Sequence, residues 1–121
     1  MRGRGKVKVG EILKRLELSA ATGETGLDRE AGAGYCGDLL SDVMANSKKG
    51  ALWLTIQSHQ NIVAVAVLRE IAAIILVNGS LPDDETKRKA DEEGIPILVT
   101  PLHAYKMAGE IYRAAMGSEA G

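Results

Sequence analysis

Few side chains in this sequence are suited to attack, ligate or relay a proton at a shared site. Cys36 is the one cysteine among 121 residues, and His59 and His103 are the two histidines. A thiol beside an imidazole is the pairing a cysteine nucleophile uses, so Cys36 with His59 as its base is one reading. Nothing near Cys36 in the sequence acidifies a thiol, however, and a small residue packed beside a turn is the expected role. The three residues are too few and too scattered for a structural zinc set, so no metal is expected. Phosphate-binding loops of the Gly-x-x-x-x-Gly-Lys-Ser/Thr type need a glycine in register before Gly-Lys. The only Gly-Lys is Gly5-Lys6, followed by Val7. No Gly-x-Gly-x-x-Gly is read at a strand–helix junction either. A kinase, a dinucleotide enzyme, and catalysis generally are therefore not expected, and no cofactor is.

Position offers more than residue type. In parallel α/β sheets, ligands sit beyond the carboxyl ends of strands, where helix N-termini point N–H groups at anions. Three apolar segments of this chain are followed by short polar or glycine residues. They are Gln57-Ser58-His59-Gln60-Asn61, Asn78-Gly79-Ser80 and Thr100-Pro101. Helix capping alone would explain Ser58, Ser80 or Thr100 taken singly. Taken together they nominate Ser58, His59, Asn61, Asn78, Gly79 and Thr100 as the lining of a site for a phosphorylated ligand. His103 reads as a solvated residue on a polar helix stripe.

Positioning such residues requires strands. Ala51 to Gln57, Ala73 to Val77 and Ile95 to Val99 are apolar runs of strand length, the middle one continuous enough to be buried on both faces. SHQNIVAVAVLREI lies between the first two, and its alternation fits strand or helix. Joining parallel strands takes about a dozen residues, usually helical, so Gln60 to Ile71 is assigned as helix. Asp83 to Glu93 reads as a surface helix with Asp84–Arg88 and Glu85–Lys89 pairs. Thr100 and Pro101 read as the cap and first residue of a helix from Leu102 to Met116. Its polar stripe is His103, Lys106, Glu110 and Arg113, and Leu102, Tyr105, Ala108, Ile111, Tyr112 and Ala115 face the other way. Earlier come a helix over Val7 to Leu16, a strand over Leu18 to Thr22, and a connection from Gly23 to Gly34. A helix capped by Asp38 then runs through Ala45 and stops at Ser47-Lys48-Lys49-Gly50. Three strand–helix units make an α/β fold with a largely parallel sheet.

The chain's size fits one domain, 1–121, with residues 1–6 a flexible basic tail. Fifteen Lys and Arg against sixteen Asp and Glu leave a net charge of −1, so no basic field for nucleic acid exists. The longest apolar run is broken by Arg69-Glu70, too short for a membrane span. With no signal-peptide pattern and one cysteine, a cytoplasmic setting is expected. From Ile62 to Leu68 the helix reads IVAVAVL, apolar on every side. Either the N-terminal helix or a second copy must cover it, and a homodimer through this helix is expected.

Three segments carry a family resemblance: GYCGDLLSDVMANSKKG, LWLTIQSHQNIVAVAVLREIAAIILVNG and GIPILVTPLHAYKMAGEIY. Together they resemble the DRTGG-domain family in its short stand-alone form. The resemblance implies a three-layer α/β/α domain, similar to the N-terminal domains of HPr kinase/phosphorylase and of Mur ligases. It also implies a regulatory accessory that pairs as a dimer, and that in some relatives takes part in binding diadenosine polyphosphates. The Asp-Arg of the family motif aligns near Ser58-His59-Gln60, and its Thr-Gly-Gly with Val77-Asn78-Gly79. Only Gly79 matches literally, so the resemblance alone does not fix which nucleotide is bound here. The expectation is a non-enzymatic regulatory or sensor domain binding a nucleotide or other small phosphorylated ligand at the sheet's carboxyl edge. The alternative is a dimeric protein–protein interaction module with no small-molecule ligand.

Overall fold

A computed structural model describes residues 6–22 and 26–117, so the start of the basic tail and Gly23 lie outside the described residues. Two apolar segments form its centre, β5 (Ala51–Thr55) and β6 (Ala73–Leu76), with every residue of both strands buried. β7 (Ile97–Val99) pairs parallel to β6, and β4 (Ala33–Cys36) pairs parallel to β5. β2 (Ser19–Ala20) closes the other edge antiparallel to β7, giving the order β2-β7-β6-β5-β4. A small ribbon of β1 (Val7–Lys8) and β3 (Glu30–Ala31) stands apart from this sheet.

Strand periodicity splits the core into two layers. Leu52, Leu54, Ala73, Ile75 and Leu98 share one cluster with α1 (Val9–Arg15) and α5 (Ala104–Ile111). Ala51, Trp53, Ile74, Leu76 and Ile97 share the other with α2 (Leu40–Asn46), α3 (Asn61–Leu68) and α4 (Asp84–Glu93). The result is the three-layer α/β/α arrangement. Each parallel strand lies beside the next in sequence, and crossovers of one hand therefore put all three connecting helices on one face.

Several sequence expectations change here. The glycine-rich connection hides β3 and the start of the edge strand β4, which runs on to Cys36, so there are four parallel strands rather than three. Asp38 does not cap a helix: α2 starts after Leu39, which makes no side-chain cap bond. In α4, Arg88 pairs with Glu85 and Glu92, not Asp84. Thr100 does not cap the last helix, which begins three residues beyond Pro101 at Ala104, with His103 before it. That helix ends in a π-helical turn, Tyr112–Gly117. Its buried residues are Met107 and Ile111, whereas Tyr105 is 94% exposed, so the two-sided split expected for it is out of phase.

The apolar helix α3 needs neither the N-terminal helix nor a partner as its main cover. Leu40, Val43 and Met44 of α2 and Ala90 of α4 pack into the same cluster as Ile62, Val63, Val65 and Ala66. α1 lies on the opposite face of the sheet. Only Val67 and Leu68, at the helix end, are large and exposed.

Candidate functional site

The carboxyl ends of β5, β6 and β7 open into three loops held together by backbone and hydroxyl contacts. Ser80 Oγ donates to the Ile56 carbonyl at 2.8 Å, tying the β6 loop to the β5 loop. The Ser58 carbonyl accepts from the Asp83 amide at 3.2 Å and from Thr86 Oγ at 2.7 Å, fixing the start of α4. The Gly79 amide donates to the Thr100 carbonyl at 3.0 Å, and the Asn78 amide to the Leu102 carbonyl at 2.7 Å. Ser58, His59, Asn61, Asn78, Gly79 and Thr100 therefore all follow carboxyl ends of adjacent parallel strands. Their availability differs. His59, Asn61, Asn78 and Gly79 are exposed and Ser58 is half-buried. Thr100 is buried, its hydroxyl accepting from the Leu102 amide at 3.1 Å, so it shapes the loop from beneath.

Local conformation explains two of these residues. Asn78 and Gly79 have φ of 59° and 74°, consecutive left-handed residues in one turn. Asparagine is the non-glycine residue that tolerates this region best, since its short amide bonds locally. At α3, His59 Nδ1 accepts from the Asn61 amide at 3.1 Å, an internal N-terminal contact that employs the imidazole. The amides of Ser58, His59 and Gln60 donate to no other described residue. They sit at the positive end of the α3 dipole.

One residue escaped the sequence reading. Asp38 Oδ1 accepts from Thr55 Oγ at 2.7 Å and from the Ile56 amide at 2.9 Å, and the Gln57 side chain donates to the Asp38 carbonyl. Its carboxylate makes the β4 end of this edge unfavourable for an anion and leaves the α3–α4 end as the favourable one. Recognising Asp38 as an edge residue required recognising β4 first. The edge is also a ledge rather than a crevice. A crevice forms where strand order reverses, and the parallel run from β4 to β7 has no reversal. Leu39, Ile56 and Leu81 project from this edge as exposed apolar residues.

Gly32 to Gly37 spells Gly-x-Gly-x-x-Gly, but not at a strand–helix junction. Its middle residues are β4 itself rather than a turn after a strand. The Gly37 carbonyl accepts from Trp53 Nε1 at 2.9 Å, so the run packs the edge strand and offers no cradle to a pyrophosphate. Cys36 lies on that strand without the imidazole of His59 among its described contacts. Partial burial, and secondly the Asp38 charge, push its thiol above the usual range. A thiol that stays protonated is a poor nucleophile. Alkylation rates with iodoacetamide should accordingly rise with pH to a midpoint above that of a cysteine peptide. A midpoint below it would show an activated thiol and contradict this environment.

Among the described residues no cluster of His, Cys, Asp or Glu could hold a metal ion, and no helix is long and apolar enough to cross a membrane. No curated protein matches the chain in sequence. Among solved structures it is similar to the crystal structure of the CBS and DRTGG domains of the regulatory region of Clostridium perfringens pyrophosphatase, complexed with its activator diadenosine tetraphosphate. The TM-score is 0.73 at 16% identity, over 89% of this chain and 47% of that one. This chain thus spans about half the length of that one, and the likeness is one of fold. The family model of the DRTGG domain matches residues 11–114, nearly all of the sequence. The chain belongs to the DRTGG domain family.

Proposed function

We propose that this chain is a non-enzymatic regulatory or sensor domain that binds a nucleotide or another small phosphorylated ligand at the carboxyl edge of its sheet. The observation that carries this reading is the run of three unengaged amides, Ser58, His59 and Gln60, at the entry of α3. Amides at a helix entry suit a phosphate, because they present several donors and a favourable dipole together. Asn61 follows these amides in sequence, and Asn78 and Gly79 follow the adjacent strand β6, where the Thr100 carbonyl accepts from the Gly79 amide. Exposed Ile56 and Leu81 offer a base an apolar ledge beside the phosphate. Membership of a family whose solved neighbour is a regulatory region in complex with a nucleotide activator supports the same reading.

Gln60→Pro is the sharpest test. Gln60 has φ of −60°, which proline adopts, and its amide makes no internal bond. The substitution removes one donor and leaves the ring at a helix entry, where proline is tolerated. Calorimetric titration with ATP, ADP and diadenosine tetraphosphate is expected to show binding to the wild type. The variant should bind about tenfold more weakly, a loss of about 1.4 kcal/mol, typical of one hydrogen bond to a charged group. Undiminished affinity in a folded variant would remove the amide site.

A further inference from the structure

A mostly apolar cavity of about 230 Å³ lies between α5 and the edge strand β4, on the sheet face opposite α2, α3 and α4. Two periodicities build its walls. Along β4, Ala33 and Tyr35 pack into the layer with α2 and α3, so Gly34 and Cys36 face the α5 layer. Ala108, Ile111 and Tyr112 stand three and four residues apart and share one side of the helix end. These residues and Leu54 of β5 line the cavity. It stays open because its strand wall offers Gly34, with no side chain, and its helix wall offers Ala108, with only a methyl. Glycine inside a strand weakens it, and often marks a place where a ligand approaches the backbone closely. At the rim, Tyr112 begins the π-helical turn, a rare local geometry that recurs at functional sites.

We propose that this cavity is a binding site for a small neutral aromatic molecule, one substituted ring or two fused rings in size. A dry apolar cavity of about 150 Å³ admits benzene, so the larger space here takes a substituted or bicyclic ring. Charge is disfavoured, because among the described residues none that lines the cavity is charged. An ionised group placed there would give up its water without gaining a partner. Burial, and secondly the Asp38 charge, keep the Cys36 thiol protonated, so that wall is neutral too. An aromatic ring is favoured over an aliphatic chain by the two polarizable groups at the walls. The Cys36 sulfur makes favourable contacts with ring edges, and the Tyr112 ring can meet another ring edge to face. None of the carboxyl-edge residues assigned to the phosphorylated ligand lines this cavity, so the two sites are separate.

Indole and its charged analogue indole-3-carboxylate are the probes, each added to the full chain. Indole should slow iodoacetamide labelling of Cys36 saturably, and should shift the methyl resonances of Leu54 and Ile111. The carboxylate should do neither. Ala108→Leu and Gly34→Val fill the space from opposite walls. Gly34 does not have positive φ, and valine suits a strand, so the second change fits the backbone. Both variants should melt at or above the wild-type temperature, as cavity-filling changes commonly do, and both should lose the response to indole. Labelling and methyl resonances unmoved by indole up to its solubility limit would overturn the proposal. So would equal binding of the carboxylate, or binding undiminished in the folded variants, which would put the molecule elsewhere. A labelling rate that falls as the protein is concentrated, yet ignores indole, would show the cavity closed by a second copy and would equally overturn it. ATP titrations of the same variants are expected to match the wild type, so that failure of the carboxyl-edge site and failure of this one are told apart.

Discussion

Trp53→Ala is expected to lower the stability of the domain by about 3–5 kcal/mol, the usual cost of truncating a buried tryptophan. Trp53 is fully buried in β5, whose two neighbours are both parallel strands. Its ring fills the layer between the sheet and helices α2, α3 and α4. Its Nε1–H also donates to the Gly37 carbonyl just beyond β4, pinning the edge strand to the centre. Truncation removes both, so the loss combines a cavity with an unpaired carbonyl. Domains of this size are stable by only about 5–15 kcal/mol, so much of the total would go. The midpoint of thermal unfolding should fall by roughly 10–20 °C, followed by far-ultraviolet circular dichroism because the only tryptophan is gone. Trp53→Phe separates the two contributions. It keeps most of the volume but not the donor, and should cost about 1–3 kcal/mol. A Trp53→Ala variant melting within a few degrees of the wild type would show that the layer repacks, against this account.

What could be read in advance followed from how completely each element is buried. β5 and β6 are covered on both faces, and total burial leaves an unmixed apolar run that composition alone reveals. β4 is covered less, and its Ala33-Gly34-Tyr35-Cys36 alternates half-buried and exposed residues. An edge strand that opens on Ala33-Gly34 and follows a glycine-rich stretch looks like a loop in sequence. Missing β4 also misplaced Asp38, because an aspartate before a helical segment is indistinguishable in sequence from an N-cap. In α5 the error was one of phase. A tyrosine counts as apolar in sequence, but Met107 and Ile111, four apart, define the buried stripe and leave Tyr105 two residues out of phase with it. That Ser58, His59, Asn61, Asn78, Gly79 and Thr100 follow strand ends is legible in sequence, because it depends only on where the apolar runs stop. Which of their donors are unengaged depends on loop contacts such as Ser80 to Ile56, which no local pattern encodes.

Gly26→Ala should be the second severe substitution, for a reason the sequence only hinted at with its glycine-rich connection. Gly26 has φ of 89°, and a Cβ there would lie 2.6 Å from the Gly94 carbonyl oxygen and 3.1 Å from Pro96 Cδ. The first of these is backbone at the end of α4, which cannot swing aside as a side chain would. The same corner is fastened by Arg29, whose guanidinium donates to the Ile71 carbonyl at 2.9 Å and the Gly94 carbonyl at 3.4 Å. Relief of the clash would therefore strain the contacts that hold the first part of the chain against the β6 and β7 region. Gly79→Ala is the matched control, since Gly79 has φ of 74° but an added Cβ there meets nothing within 4 Å. Gly79→Ala should cost only the left-handed conformation, about 1–2 kcal/mol. Gly26→Ala should exceed it by about 1–3 kcal/mol, the scale on which overpacking a well-packed site destabilises. Urea denaturation of the two variants measures the difference directly, with the dependence on denaturant expected to stay unchanged. Equal losses in the two would mean that the Gly26 corner yields without penalty, and that Arg29 and Gly94 do not form the rigid junction argued here.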